Sequence, residues 1–268
     1  MEIKRDLYLK QIISYMWDGQ VKVITGIRRC GKSYLLRTLF KNYLLENNVD
    51  NEHILAYELD LAKDIRYRNP LELAGTVRKI VEGKADKFYL FVDEIQMSDE
   101  VPNPYNPDGK PITFYDALND LNSLSNIDIY VTGSNSRMLS SDILTEFRGR
   151  SDEILVHPLS FAEYYAAVEG DKYEAFDDYA FYGGMPLILS RPNDTAKMNY
   201  LKPLFSEVYL KDIVERKRIK REDVLSSTLD LLCSSVGSLT NPNKIANSLN
   251  SKQKLAGENM VAGNTVTS

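Results

Sequence analysis

A mostly parallel α/β sheet with helices on both faces is the fold that this sequence predicts, on three observations. The apolar run Val21–Thr25 leads into Gly26-Ile27-Arg28-Arg29-Cys30-Gly31-Lys32-Ser33. A helical pattern follows at once, with apolar residues at 35, 36, 39, 40, 43 and 44. Four more strand-like runs recur along the first 157 residues, most of them separated by helical stretches. That alternation implies parallel strands joined by crossover helices. The third run, 88–92, ends in the adjacent acids Asp93 and Glu94.

The elements follow in chain order. Strands are expected at 21–25, 54–59, 88–92, 127–132 and 153–156. Helices are expected at 34–44, 71–82 and 112–124. Residues 98–111 carry Pro102, Pro104, Pro107 and Pro111, so they read as an exposed loop near the acidic strand end. After His157-Pro158 the strand pattern stops. Residues 159–168, 173–182 and 200–218 read as helices, with Gly183-Gly184-Met185-Pro186 breaking the second. A compact helical subdomain is expected there. Beyond Arg221, residues 224–236 form an amphipathic helix, 238–242 a turn and 243–249 a short helix. Helix, turn and short helix open a helix-turn-helix. The chain ends where its recognition helix ought to begin, so a missing C-terminal part is expected.

Composition narrows the classes. A chain of 268 residues has room for one large domain and a small one. No apolar run approaches the roughly twenty residues a membrane span needs. The start Met1-Glu2-Ile3-Lys4-Arg5-Asp6 lacks the apolar region of a signal peptide. Together these predict a cytoplasmic protein. The two cysteines, Cys30 and Cys233, form neither a disulfide framework nor a metal spacing. Cys30 reads as a small filler or a reactive thiol. A net charge of −5 disfavours general nucleic-acid binding. The run 216–221 leaves two readings, a basic patch or the solvated end of a helix.

The chemistry follows from residue types. G-x-x-x-x-G-K-S between a strand and a helix is the phosphate-binding P-loop. Gly26 and Gly31 lack Cβ, so the backbone can curl and aim N–H groups inward as an anion nest. The helix opening at Lys32 adds unpaired N–H groups and its positive dipole end. The nucleotide contacts are expected from Gly26, Ile27, Arg28, Arg29, Cys30, Gly31, Lys32, Ser33 and Tyr34. Lys32 would reach the β- and γ-phosphates, and Ser33 would ligate Mg²⁺. Arg28 and Arg29 either add charge at the phosphates, approach a neighbouring subunit or face solvent. Asp93, at the carboxyl end of a buried strand, would hold Mg²⁺. Glu94 would orient and polarise the attacking water. ATP and Mg²⁺ are thus the expected ligands.

The whole pattern resembles the AAA+ ATPases. The end of the fourth strand, Val131-Thr132-Gly133-Ser134-Asn135, is similar to their sensor-1 region, which implies that Ser134 or Asn135 contacts the γ-phosphate or the lytic water. Phe147-Arg148-Gly149-Arg150 stands where the family places an arginine finger, so Arg148 or Arg150 would stabilise transition-state charge; a surface salt bridge is the other reading. Further motifs resemble one prokaryotic branch: G-x-R-R-x-G-K-S at 26–33, D-E-I-Q at 93–96, R-G-R at 148–150, P-L-S-F-x-E-Y at 158–164, G-G-M-P at 183–186 and D-I-V-E-R at 212–216. The resemblance implies a five-stranded parallel core at 1–157, a helical lid at 158–221 and the start of a winged helix at 222–268. It implies ATP hydrolysis driving a conformational switch, with adenine walled by residues 3–9. An oligomer and a DNA or protein partner through the C-terminal region stay open, as does nucleotide-gated DNA binding. A small-molecule kinase shares the loop, but no acceptor-binding signature accompanies it.

Overall fold

Five strands, Val21–Thr25 (β1), Ile54–Glu58 (β2), Phe88–Asp93 (β3), Ile127–Thr132 (β4) and Ser151–Leu155 (β5), form one sheet in the order β2-β3-β4-β1-β5. Every pairing is parallel. The computed structural model describes residues 3–133, 147, 149–168, 170–210, 213–214, 222–239 and 241–255.

Side chains alternate across the sheet, and each face finds its own helices. Val21, Val23, Leu90, Val92, Ile129 and Val131 lie in one buried cluster. Leu73, Val77 and Val81 of Pro70–Val81 (α3) and Phe114, Leu118 and Leu121 of Phe114–Leu121 (α4) cover them. Ile24, Tyr89, Phe91, Tyr130 and Ile154 point the other way. Tyr8 and Ile12 of Asp6–Ser14 (α1) close that side, together with the helix that follows β1. That helix (α2, 32–46) runs as Lys32–Tyr34, passes through a π-helical stretch Leu35–Phe40 and ends as Lys41–Glu46. It buries Leu35, Leu36, Leu39, Phe40 and Leu44. The Phe40 ring sits 4.8 Å from that of Tyr130 and 5.6 Å from that of Phe91.

Local signals set the helix starts. Asn69 accepts from the N–H groups of Leu71 and Glu72, with Pro70 in the first turn of α3. Thr113 and Asp116 form a capping box on α4, and Ser160 and Glu163 form another on Phe161–Ala167 (α5). Asp171 caps Lys172–Tyr182 (α6). These caps move the observed starts inward from the expected 112 and 159, because the capping residue itself is not helical.

Other differences are instructive. The N-terminal α1 was not expected from the spacing. β3 extends one residue to include Asp93, and β5 begins at Ser151, two residues early. The helix expected from 200 begins at Asp194 (α7, Asp194–Pro203). The proline-rich loop is closed at its base by an antiparallel bridge between Val101 and Ile112.

The chain divides into two compact units, Met1–Met198 and Asn199–Ser268. The second contains the π-helical stretch Leu204–Leu210 and two mutually packed helices, Glu222–Ser234 (α8) and Pro242–Leu255 (α9). α9, at 14 residues, is longer than the short helix expected at 243–249. Among the described residues no helix is long and apolar enough to cross a membrane.

Candidate nucleotide site

All five strands point their carboxyl ends the same way, and the loop between β1 and α2 crosses that end. Gly26 has φ 141°, and a Cβ there would lie 2.2 Å from the Val156 carbonyl oxygen. Only glycine fits this approach of the loop to the chain leaving β5. Arg29 takes a left-handed φ of 64°, and Gly31 caps α2 at 106°. Cys30 turns inward, its Sγ donating to the Val156 carbonyl at 3.3 Å. Burial pushes its thiol up, so it packs as a filler rather than reacting as a thiolate.

The charged groups meet above β3. Lys32 is buried, and its Nζ donates to the carbonyls of Gly26 and Ile27, both at 3.0 Å. Removal from water pushes its pKa down, against the pull of nearby Glu94 and Asp93. Asp93 Oδ1 accepts from Ser33 Oγ at 2.9 Å and from Thr132 Oγ1. Burial pushes the Asp93 carboxyl up, and those two hydroxyls oppose the shift by binding its charged form. Glu94 sits at φ 57°, its N–H donating to Thr132 Oγ1 at 3.2 Å and its Oε2 accepting from Gln96 Nε2. This backbone turn ends the strand and aims Glu94 into the cavity.

That cavity measures about 400 Å³. Arg29, Gly31, Lys32, Ser33 and Glu94 supply its polar side. Ile3, Tyr34, Leu159, Pro186, Leu187 and Leu189 supply an apolar wall. The wall depends on the Gly183–Pro186 turn: Gly184 takes the Leu159 N–H on its carbonyl at 2.7 Å, and a Cβ on Gly184 would lie 2.1 Å from the Leu159 oxygen. Arg5, also lining the cavity, ties three segments together. It is 2% exposed and reaches Glu163 at 2.9 Å, the Cys30 carbonyl at 3.1 Å and the His157 carbonyl at 2.7 Å.

Among the described residues no cluster of three or more His, Cys, Asp or Glu could cage a metal. The Ser33 hydroxyl and Asp93 Oδ1, 2.9 Å apart, are instead two adjacent oxygen donors. Such a pair suits Mg²⁺, which keeps waters and takes its remaining ligands from substrate phosphates. An anion-binding loop, a lysine, a hydroxyl–carboxylate pair and a second carboxylate can bind a triphosphate and deliver water to it.

The expected residues fare unequally. Arg29, Gly31, Lys32, Ser33, Tyr34 and Glu94 line the cavity. Gly26 and Ile27 contribute carbonyls to Lys32, while Arg28 is exposed. Ser134, Asn135 and Arg148 lie outside the described residues. Arg150 is described, and its backbone is distant from the phosphate loop. It immediately precedes β5 and its carbonyl accepts from Val21 N at 3.0 Å. That is the amino end of the sheet, a five-residue strand, roughly 15 Å at 3.3 Å per residue, from the phosphate loop. Of the expected adenine wall at 3–9, only Ile3 and Arg5 line this cavity; Lys4, Asp6, Leu7 and Tyr8 line a separate open recess. Helix α1 turns Asp6, Leu7 and Tyr8 toward that recess. Arg5 falls in the expected adenine wall and Pro186 in the G-G-M-P turn, but the sequence assigns no site role to Thr132, Leu187 or Leu189. A hydroxyl ending an apolar strand is a readable signal for Thr132; the two leucines carry none.

Comparison with known proteins agrees with this geometry. A protein family described as "AAA domain" matches residues 18–165, and a domain of unknown function matches residues 173–260. An uncharacterized protein of Haemophilus influenzae is 30% identical over 256 residues, covering 94% of this chain and 60% of its own length. One of Methanocaldococcus jannaschii is 27% identical over 263 residues, covering 92% of this chain and 53% of its own. The chain thus spans somewhat over half the length of these relatives. The structure is similar in fold to a Walker-type ATPase of Pyrococcus abyssi, with a TM-score of 0.55 and 16% identity, covering 94% of this chain and 89% of that one.

Proposed function

The chain belongs to the AAA domain family of P-loop ATPases, and on that premise we propose that it binds ATP with Mg²⁺ and hydrolyses it to drive a conformational switch. The observation that carries the reading is the meeting of Lys32, the Ser33–Asp93 pair and Glu94 at one cavity. The loop N–H groups take the phosphate tail, and the Lys32 ammonium exchanges its two carbonyls for phosphate oxygens. Ser33 and Asp93 hold Mg²⁺, which when bound neutralises phosphate charge and fixes its geometry. Glu94 orients and polarises the attacking water. Ser134 or Asn135, which follow Gly133 in sequence after β4, contacts the γ-phosphate or the lytic water. Arg148 or Arg150 serves a neighbouring chain, a reading that the position of Arg150 at the amino end of β5 favours and that requires an oligomer. Hydrolysis changes the orientation of the helical lid, whose Pro186–Ser190 segment walls the cavity. Core, lid and winged helix are assigned to 1–157, 158–221 and 222–268.

Glu94→Gln tests the chemistry. Binding of ATP is expected to persist while phosphate release falls about 100-fold or more. Undiminished turnover in that variant removes Glu94 from its role, and absence of ATP binding in the parent removes the function.

The α8–turn–α9 arrangement favours a second reading, nucleotide-gated DNA binding. DNA affinity that falls steeply with salt and depends on ATP would support it. No affinity at low salt, with or without ATP, would dispose of it.

A further inference from the structure

Glu58 ends β2 beside Asp93, its register partner on β3. Its residue is 7% exposed, and its side chain gathers two cations. Lys63 Nζ lies 2.7 Å from Oε1, and Arg37 Nη1 meets Oε2. The same Arg37 nitrogen stands 3.7 Å from Asp93 Oδ2. Arg37 comes from the π-helical stretch of α2, four positions beyond Ser33. Asp93 is therefore approached from two sides. Ser33 and Thr132 donate to Oδ1, and Arg37 lies toward Oδ2.

The phosphate chemistry described above makes no use of Glu58. A buried carboxylate needs a cation, and Lys63 already supplies one. What Glu58 adds is a second place for the Arg37 guanidinium. A guanidinium near Asp93 and a dication bound to the same carboxylate repel one another. An alternative acceptor one strand away lets the guanidinium leave Asp93 without becoming an unpaired charge.

Resting on the reading that Asp93 faces Mg²⁺, we propose that Glu58 is a positioning residue for the divalent cation. It anchors Arg37 on the β2 side, so that the Arg37–Glu58 pair sets the Mg²⁺ concentration at which the site loads. Without metal, Arg37 partly neutralises Asp93; with metal, it rests wholly on Glu58.

The test titrates Mg²⁺ into the full chain with a fluorescent, non-hydrolysable ATP analogue, and repeats the analogue titration in EDTA. Glu58→Gln is expected to raise the Mg²⁺ midpoint about tenfold, the scale of a lost outer partner of a metal ligand. Affinity in EDTA should change less than about twofold. Arg37→Gln should lower the midpoint, and the double variant should fall back to the Arg37→Gln value, because Glu58 acts through Arg37. A purely structural role predicts a double variant at least as impaired as Glu58→Gln. An unchanged midpoint in Glu58→Gln, a parallel loss in EDTA, or a double variant without recovery overturns the proposal. If Glu58→Gln does not fold, Glu58→Asp keeps the charge with a shorter reach. It should raise the midpoint by a smaller factor, and no change there is equally fatal. Asp93→Asn separates this proposal from its premise: an unaltered midpoint in that variant sinks the reading of Asp93 as metal ligand, whatever Glu58 does.

Discussion

Lys22 and Lys32 are both buried, one on β1 and one at the start of the helix that follows it, yet their partners differ in kind. Lys22 is 0% exposed, with Nζ at 2.6 Å from Asp128 Oδ1, 2.6 Å from Asp18 Oδ1 and 2.9 Å from the Gln20 carbonyl. The second Asp128 oxygen accepts from Trp17 N at 3.0 Å and from Tyr130 Oη at 2.6 Å. Burial and the Asp128 charge push the Tyr130 hydroxyl far up, so it stays a donor. Lys32, at 3% exposed, has only its own loop's carbonyls at hydrogen-bonding distance among the described residues. The amino-end network closes on itself and holds the strands together. The carboxyl-end lysine borders a cavity, with neutral partners that an anion can replace. Buried charge of the same type thus serves structure where it is paired and ligand capture where it is left with weak acceptors.

The largest effect should come from breaking the closed network. Asp128→Ala leaves Lys22 with Asp18 as its one carboxylate and strands two donors, Trp17 N and Tyr130 Oη, and should cost about 3–5 kcal/mol in chemical denaturation. A loss below about 1 kcal/mol would remove the contrast with Lys32. Lys32→Ala should cost little stability but weaken ATP binding about 100-fold, near 3 kcal/mol for a lost charge-assisted contact. Tight ATP binding by that variant, measured calorimetrically, would deny the open lysine its purpose. Thr132→Val removes the hydroxyl between Asp93 and the Glu94 N–H and should cost about 1–2 kcal/mol of stability, checked by the same denaturation.

The smallest effect sharpens the comparison by sign. Burial holds the folded Asp93 carboxyl above its ordinary value of 3.8. The native state therefore binds the proton more tightly, and this group's contribution to stability falls as pH rises from 3.8 through the folded pKa. Asp93→Asn should flatten that fall and leave the ligand-free protein somewhat more stable at neutral pH. Melting curves from pH 4 to 7 decide it; a steeper loss with rising pH in the variant would mean that Asp93 is stabilising where it stands.

Legibility differed between these two regions as well. The phosphate loop and the Asp93-Glu94 pair were readable because their chemistry demands fixed local spacing, and strand and helix flank the loop in sequence. Lys22 in an apolar run gave no signal, since its partners Asp128 and Tyr130 belong to a strand brought alongside by folding. Glu58 and Arg37 escaped notice for the same reason: each is an ordinary charged residue until β2, β3 and α2 converge. Of the expected adenine wall at 3–9 only Ile3 and Arg5 reach the cavity, because a helix starts at Asp6 and turns Asp6, Leu7 and Tyr8 toward another recess.

By itself the chain's order of residues determined the sheet's five strands, the helices on both of its faces and the loop that meets phosphate. Periodicity and short motifs act between neighbours in sequence, so they survive without coordinates. Tertiary structure alone decided that β3 stands between β2 and β4, that Thr132 and Ser33 converge on one oxygen of Asp93, and that Arg150 falls at the far end of the sheet. Those facts depend on strand order and side-chain direction, which long-range packing selects and no local pattern encodes.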